Sequence, residues 1–135
     1  QMIEYNILEM LQANDPFDML FSINYTTEKD DVVTVYSIPG NAPSIYEGVL
    51  SYDNFQIIIK SSDFDKATEV AYDIQETLHK LQNVIMQIQL KTKTIPIRVY
   101  FIRALHEPAL LGVNDDGIME YSLNFESQLI RVQGA

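Results

Sequence analysis

The residues best suited to chemistry are two histidines, His79 and His106, which lie far apart in the sequence. Neither has another histidine at metal-ligand spacing, and the chain contains no cysteine. His79 falls near the end of a predicted helix, where a positive charge is mildly favoured, so a surface role explains it better than a ligand role. His106 precedes Glu107, and the two could form half of an acid–base site.

The acidic residues offer no stronger chemical signal. Asp115 and Asp116 superficially resemble a calcium loop, but the D-x-[DN]-x-[DN]-G spacing and the distal glutamate are absent, so a tight turn explains them better. The chain has no glycine-rich phosphate loop and no G-x-S-x-G motif. We therefore predict no catalytic residues, no cofactor and no metal, and we expect a protein that is not an enzyme.

Hydrophobic periodicity predicts two helices. One spans residues 2–12. The other starts with a capping box formed by Ser62 and Asp65, carries apolar residues on one stripe, and ends near residues 82–83. Alternating or β-branched runs predict strands at 19–25, 32–38, 54–60, 84–91, 95–105 and after Gly117. The unbroken apolar run of 54–60 indicates a central strand.

Turn signals separate these elements. Pro108 and Gly112 are interpreted as breakers, and residues 114–117 as a turn, so strand 95–105 should pair antiparallel with the strand after Gly117. The fold class is therefore α+β: a mixed, largely antiparallel sheet with an N-terminal helix and one long amphipathic helix packed on one face. The 135 residues suffice for a single domain, 1–135. No stretch reaches the length of a membrane span, and cytosolic synthesis is expected.

Charge is unevenly distributed around a net charge of −10. Residues 84–104 contain four bases and no acid, while residues 1–31 contain seven acids and one lysine. An acidic protein tends to repel nucleic acid, but unlike patches on neighbouring copies attract. Alternatively, the bases simply solvate strand faces. The candidate subunit interface comprises Glu69, Asp73, Glu76, Lys91, Lys93, Arg98 and Arg103.

Two loops are candidate partner contacts. One begins at Pro39 and runs to Gly48; a connection this long in a small domain is usually functional, although a simple crossover between strands is an alternative. The other is the turn at 114–117. The candidate contact residues in these loops are Pro39, Gly40, Asn41, Pro43, Asn114, Asp115 and Asp116.

Several segments together resemble a known family. They are residues 32–44, the strand and helix that follow from Phe55, Pro108-Ala-Leu-Leu-Gly with the turn after it, and Tyr121-Ser-Leu-Asn-Phe-Glu. In this order they are similar to the minor capsid, or tail-terminator, proteins of long-tailed bacteriophages and prophages. The resemblance covers roughly residues 15–131, and its closing segments are the most specific.

The resemblance implies a structural virion protein that caps the tail tube as a hexameric ring and joins it to the head connector. The implied partners are further copies of itself, the tail tube protein and a head-completion protein, with genomic DNA as passing cargo and no membrane. The implied location is the head–tail junction of a virion assembled in the bacterial cytoplasm. A cyclic ring needs two different complementary patches per subunit, which the acidic helix face and the basic strip could supply.

Two functions of other classes remain open at this point. The first is a small acidic binding or inhibitor module that engages a basic protein partner. The second is an α+β enzyme that uses His106 and Glu107.

Overall fold

The computed structural model describes residues 4–13, 17, 19–38, 50–89 and 92–131. These residues form two helices and seven strands, in the chain order α1 (Glu4–Ala13), β1 (Leu20–Ile23), β2 (Val32–Ile38), β3 (Leu50–Ser61), α2 (Phe64–His79), β4 (Gln82–Gln89), β5 (Thr94–Ala104), β6 (Ala109–Val113) and β7 (Met119–Arg131). The predicted long loop after Pro39 lies outside the described residues.

The strands form one mixed sheet in the order β1-β2-β3-β7-β5-β4, with β6 paired to β7 beside β5. β1 and β2 are parallel, and every other pair is antiparallel. The predicted α+β class with a mixed, largely antiparallel sheet is therefore confirmed. So is the antiparallel pairing of β5 with β7.

The longest ladder joins β3 to β7 and places β3 in the interior of the sheet, as its apolar run predicted. It extends over twelve residue pairs, from Leu50 opposite Ile130 to Ser61 opposite Met119. The other edge of β7 is shared: β5 pairs with its C-terminal part and β6 with its N-terminal part. β7 is thus the strand on which the two halves of the sheet meet.

Side-chain alternation along these strands produces the core. Because successive strand residues point to opposite faces, the odd-numbered residues of β7 share one face with the odd-numbered residues of β3. At the centre of that face, Phe55 and Phe125 are fully buried and stack with ring centroids 5.3 Å apart. The same cluster includes Ile57, Ile59 and Leu123, all fully buried.

Both helices contribute to this cluster. In α1 the buried residues are Ile7, Leu8 and Leu11, which belong to the predicted apolar stripe. In α2 they are Ala67, Val70, Ala71, Ile74 and Leu78. The helix α2 ends at His79, a few residues earlier than expected, because the chain enters β4 at Gln82.

The start of α2 differs from the predicted capping box. The N-cap is Asp63, whose side chain accepts a hydrogen bond from the Lys66 N–H, and the helix begins at Phe64. Ser62 instead donates its hydroxyl and its N–H to Asp30, both at 2.7 Å. The prediction of Ser62 as the cap was therefore wrong, because a carboxylate 32 residues earlier in the chain binds it.

The neighbouring Asp31 strengthens the same junction. It accepts a hydrogen bond from the Ser61 hydroxyl at 2.7 Å and forms an ion pair with Lys66 at 3.0 Å. Asp31 also takes a positive φ of 51°, a conformation that aspartate tolerates better than most residues. The two aspartates thus tie the start of β2 to the junction between β3 and α2.

The interpretation of Gly112 as a breaker was also wrong, whereas Pro108 does lie between β5 and β6, outside both strands. Residues 109–113 form β6, which pairs antiparallel with β7 and carries a register shift between Leu110 and Gly112. Glycine is tolerated at a strand irregularity. Gly112 therefore does not prevent the pairing.

Replacement of the aromatic pair tests the packing of the two long strands. Phe125→Ala is expected to destabilise the protein by about 3–5 kcal/mol, because it removes a fully buried ring and leaves a cavity. Urea unfolding would measure this loss. Ile85→Ala is the control: the Ile85 side chain is 51% exposed, so its loss should change stability by about 0.5 kcal/mol or less. Equal effects of the two substitutions would contradict the assigned core.

The junction at Asp30 predicts a dependence of stability on pH. Hydrogen bonds from the Ser62 side chain and N–H lower the pKa of Asp30 from its ordinary value of 3.8. The folded state then binds fewer protons than the unfolded state near that value. The Asp30 carboxylate therefore stabilises the fold above it, and this stabilisation is lost as the pH falls through the lower folded-state pKa.

Asp30→Asn should remove that contribution. The difference in unfolding free energy between the wild type and Asp30→Asn should be constant near neutral pH and shrink in acid. It should stay below about 1 kcal/mol, because the carboxylate is exposed. Urea unfolding at a series of pH values measures it. A difference that grows in acid would contradict the assignment.

Candidate assembly surfaces

The two histidines have structural partners. In His106, Nε2 lies 2.8 Å from the amide nitrogen of Asn124, which donates, and Nδ1 lies 2.6 Å from the Glu107 carbonyl oxygen, to which it must then donate. Both ring nitrogens are therefore engaged in fixing the segment between β5 and β6. This arrangement does not favour the alternative in which His106 and Glu107 form an acid–base site.

His79 closes part of a sheet edge. Its Nε2 accepts a hydrogen bond from the Ala104 N–H at 3.0 Å, at the end of β5 where β4 no longer runs alongside. An exposed strand N–H is thereby satisfied. His79 therefore lies at the surface, as predicted, and its role there is to accept this hydrogen bond from the end of β5.

A shallow depression of about 310 Å³ lies next to this contact, lined by His79, Gln82, Phe101, Ile102 and Arg103. Its two most polar side chains already have partners, since His79 binds Ala104 and Arg103 pairs with Glu126. Ligand sites usually combine an enclosed apolar cavity with a few unpaired polar groups. This depression lacks that combination.

Among the described residues, no group of three or more histidine, aspartate or glutamate side chains is placed to hold a metal ion. Within the same part of the chain, neither helix has the length and apolar character needed to cross a membrane.

The turn at 114–117 is built by Asn114. Its side-chain oxygen accepts hydrogen bonds from the N–H groups of Asp116 and Ile118, at 2.9 and 3.0 Å. Gly117 has a φ of +77°, a conformation that glycine adopts without strain. Asn114 and Gly117 therefore shape the turn, whereas the side chains of Asp115 and Asp116 are exposed at its tip.

The side chains of residues 122–125, in the segment that follows this turn, have structural partners. The Ser122 hydroxyl accepts a hydrogen bond from Gln56 on β3 at 3.0 Å. Asn124 holds the β5–β6 connection through His106, and its carbonyl accepts the Leu105 N–H. Phe125 stacks on Phe55. Ser122 and Phe125 thus contact β3 and Asn124 holds the β5–β6 connection, so all three side chains serve the fold.

The acidic helix surface consists of Glu69, Asp73 and Glu76, all exposed on α2. They alternate with the buried residues of the helix, so they point away from the core cluster. Glu76 makes only a weak exposed pair with Lys80, at 3.7 Å. The structure brings these three acidic residues together on one surface.

The basic strip is only partly continuous. Arg98 and Arg103 lie opposite Ile130 and Glu126, on the face of β7 that carries its even-numbered residues. Arg103 forms an ion pair with Glu126 and lies over the Phe101 ring at 5.4 Å. Lys93 lies in the turn before β5 and is exposed. Lys91 is outside the described residues.

The remaining predicted contacts fall in the other loop. Pro39, Gly40, Asn41 and Pro43 all lie outside the described residues, so their role stays a prediction.

Sequence reasoning missed one surface, the edge strand β6. Around it, four large apolar side chains are between 47% and 58% exposed: Leu105, Leu110, Leu111 and Val113. A short apolar run bounded by turn signals could have indicated a strand here, but the proline and glycine concealed it. Exposed apolar groups concentrated in one place are typical of a protein-binding surface.

A family model described as bacteriophage tail terminator protein matches residues 10–130. The match spans most of the chain, and the protein therefore belongs to the bacteriophage tail terminator family, a family of structural tail proteins. The resemblance drawn from the sequence is confirmed.

Among solved structures, the chain is similar to one from the virion of a native gene transfer agent particle. The TM-score is 0.60 and the identity is 12%, with 93% of this chain and 92% of that chain covered. At this low identity the similarity shows a shared fold. A comparison with curated proteins finds no match.

Substitutions in the turn at 114–117 test whether Asn114 stabilises the fold while the exposed Asp115 does not. Asn114→Ala should destabilise the protein by about 1 kcal/mol, because two backbone N–H groups lose their acceptor. Asp115→Ala is the matched neighbour and should leave stability within about 0.5 kcal/mol of the wild type. Thermal and urea unfolding measure both changes. A larger effect at Asp115 than at Asn114 would contradict the assignment.

Proposed function

We propose that this protein caps the bacteriophage tail tube as a hexameric ring and joins the tail to the head-completion proteins, without enzymatic activity. The observation that carries the proposal is the family match over residues 10–130. The fold shared with a chain from a gene transfer agent virion supports assembly within a particle. Its partners are then further copies of itself, the tail tube protein and a connector protein.

A closed ring imposes a requirement on each subunit. Head-to-tail contacts use two different surfaces, and the surface on one side of a subunit must complement that on the other side. The opposite charges of the acidic helix surface and the basic strip, and their positions on different sides of the sheet, support their use as these two surfaces. The acidic residues lie on the outer side of α2, whereas Arg98 and Arg103 lie on the sheet face that points away from the core cluster.

The two arginines contribute unequally to this contact. Arg103 is already neutralised within the subunit by Glu126, and it is fixed over Phe101. No ion pair joins Arg98 to another described residue, so its charge is the more available one. Arg98 and Lys93 therefore provide most of the attraction, while Arg103 shapes the surface beside them.

Contacts with the tube and connector are assigned to the loops. The tip of the β6–β7 turn presents Asp115 and Asp116 at the end of the sheet from which α2 starts, since Met119 pairs with Ser61. The segment from Pro39 to Pro43 is the second proposed contact. The net charge of −10 also suits a ring through which DNA passes as cargo, because like charges limit adhesion.

Charge reversal tests the ring interface. Arg98→Glu should weaken self-association by about tenfold, and the double variant Glu69→Lys with Glu76→Lys should do the same, because each opposes like charges across the contact. A chain carrying all three substitutions should recover part of the association, since the acid introduced at position 98 then faces the bases introduced on α2. Light scattering and sedimentation at low salt measure the assembly, which screening should weaken at high salt.

The control is Lys29→Glu, which changes the net charge by the same amount and in the same direction as Arg98→Glu but lies on neither surface. It should leave association unchanged. If Arg98→Glu assembles like the wild type, or if the combined variant fails to recover, the proposed pairing of the two surfaces is wrong.

A further inference from the structure

We propose that β6 is completed in the particle by an extended segment of a different virion protein, with apolar residues in its centre and lysine or arginine at its flanks. This inference rests on the proposed function, because it names the chemistry of a partner of the tail terminator. Among the described residues, β6 pairs with β7 alone, so its second edge offers backbone N–H and C=O groups for strand addition.

The apolar side chains of this strand point to a protein occupant. Leu110, Leu111 and Val113 are 47%, 58% and 58% exposed, and Leu105 before the strand is 51% exposed. Natural proteins normally protect an apolar edge, because an open one promotes aggregation. A partner strand would cover these side chains and satisfy the open edge at once.

Gly112 supplies an independent observation. A Cβ built on it would meet no atom within 4 Å, and its φ is not in the left-handed region. Crowding within the described subunit therefore does not require a glycine here, and the register shift between Leu110 and Gly112 accommodates one. Glycine inside a strand also marks places where another backbone approaches closely, and the space beside Gly112 is open among the described residues.

The charges around β6 argue against a second copy of this strand as the occupant. Glu107 lies at one end of β6, and Asp115 and Asp116 lie at the other, all exposed. Antiparallel pairing of two copies of β6 would place Glu107 of one beside the aspartates of the other, and parallel pairing would place Glu107 beside Glu107. Like charges directly opposite each other destabilise strand pairing.

The other sheet edges of this chain are poor partners for β6. The edge of β4 is contacted by α1, since Asn6 donates its side-chain amide to the Gln87 carbonyl at 3.0 Å. The exposed end of β5 is closed by His79 at Ala104. The edge strand β1 has only four residues. A different chain with basic flanks therefore fits the acidic ends of β6 best.

Hydrogen exchange measured on the protein in purified phage particles tests this directly. Within residues 109–113, the amides that bond to β7 are protected in both states, whereas the outward amides should exchange rapidly in the isolated protein and at least about tenfold more slowly in the particle. If the chain is present in particles but these amides remain unprotected, the inference about β6 is overturned. If the chain is absent from particles, the proposed function itself is contradicted.

Substitutions on β6 distinguish a loss of partner binding at its open edge from a loss of stability. Gly112→Val should leave the melting temperature unchanged or raise it, because glycine weakens a strand, yet it should reduce incorporation into particles at least about tenfold. Leu111→Lys should also reduce incorporation. Ile85→Lys is the matched control, since Ile85 is a similarly exposed strand residue on β4, and its incorporation should match the wild type.

Two further outcomes would overturn the inference. Wild-type incorporation of Gly112→Val and Leu111→Lys would show that nothing pairs with the edge. Protection of the outward amides of β6 in the purified chain, at concentrations where it self-associates, would assign the edge to a second copy.

Discussion

The pairing of β3 with β7 is the interaction on which the rest of this structure depends. Twelve residue pairs join the two strands, and the stacked rings of Phe55 and Phe125 lie at the middle of the ladder. Because strand side chains alternate, this pairing fixes which residues of β7 enter the core and which face away. It also leaves the other edge of β7 available for β5 and β6 in series. The positions of the core, the basic strip and the open edge of β6 therefore all follow from the pairing of β3 with β7.

Much of the fold could be predicted, since local patterns determine it. The alternation after Gly117 fixed the directions of the β7 side chains, and the apolar run at Ile57, Ile58 and Ile59 identified an interior strand, as the burial of all three shows. The stripe in α2 predicted its buried residues. These features depend on periods of two or of 3.6 residues and require no knowledge of distant partners.

The errors arose where a distant residue decides the local structure. Ser62 matched a helix cap in the sequence, but Asp30 binds it and Asp63 caps the helix. Gly112 resembled a breaker, but it lies within β6, which pairs with β7. A further contact that the sequence did not reveal is the ion pair of Arg103 with Glu126, which the pairing of β5 with β7 creates. The predicted charged surfaces remain proposals, because the arrangement of neighbouring subunits depends on more than one chain.

The proposed surfaces divide the work of assembly in a physically reasonable way. Exposed ion pairs contribute little free energy each, but they orient approaching subunits and reject wrong partners. Burial of exposed leucine and valine side chains contributes more, at about 25 cal/mol for each Å² of apolar area. The acidic helix surface and basic strip would thus select the geometry of the ring, while β6 would strengthen attachment to another component of the particle.

The central claim is that the acidic helix surface of one subunit meets the basic strip of the next. The chain has no cysteine, so Glu76→Cys combined with Arg98→Cys introduces the only two thiols, one on each surface. Oxidation followed by non-reducing electrophoresis measures their contact. The proposal predicts a ladder of covalent oligomers that ends at one discrete closed ring, and no such ladder from either single variant. Products no larger than a dimer, or a protein that stays monomeric under assembling conditions, would contradict the claim.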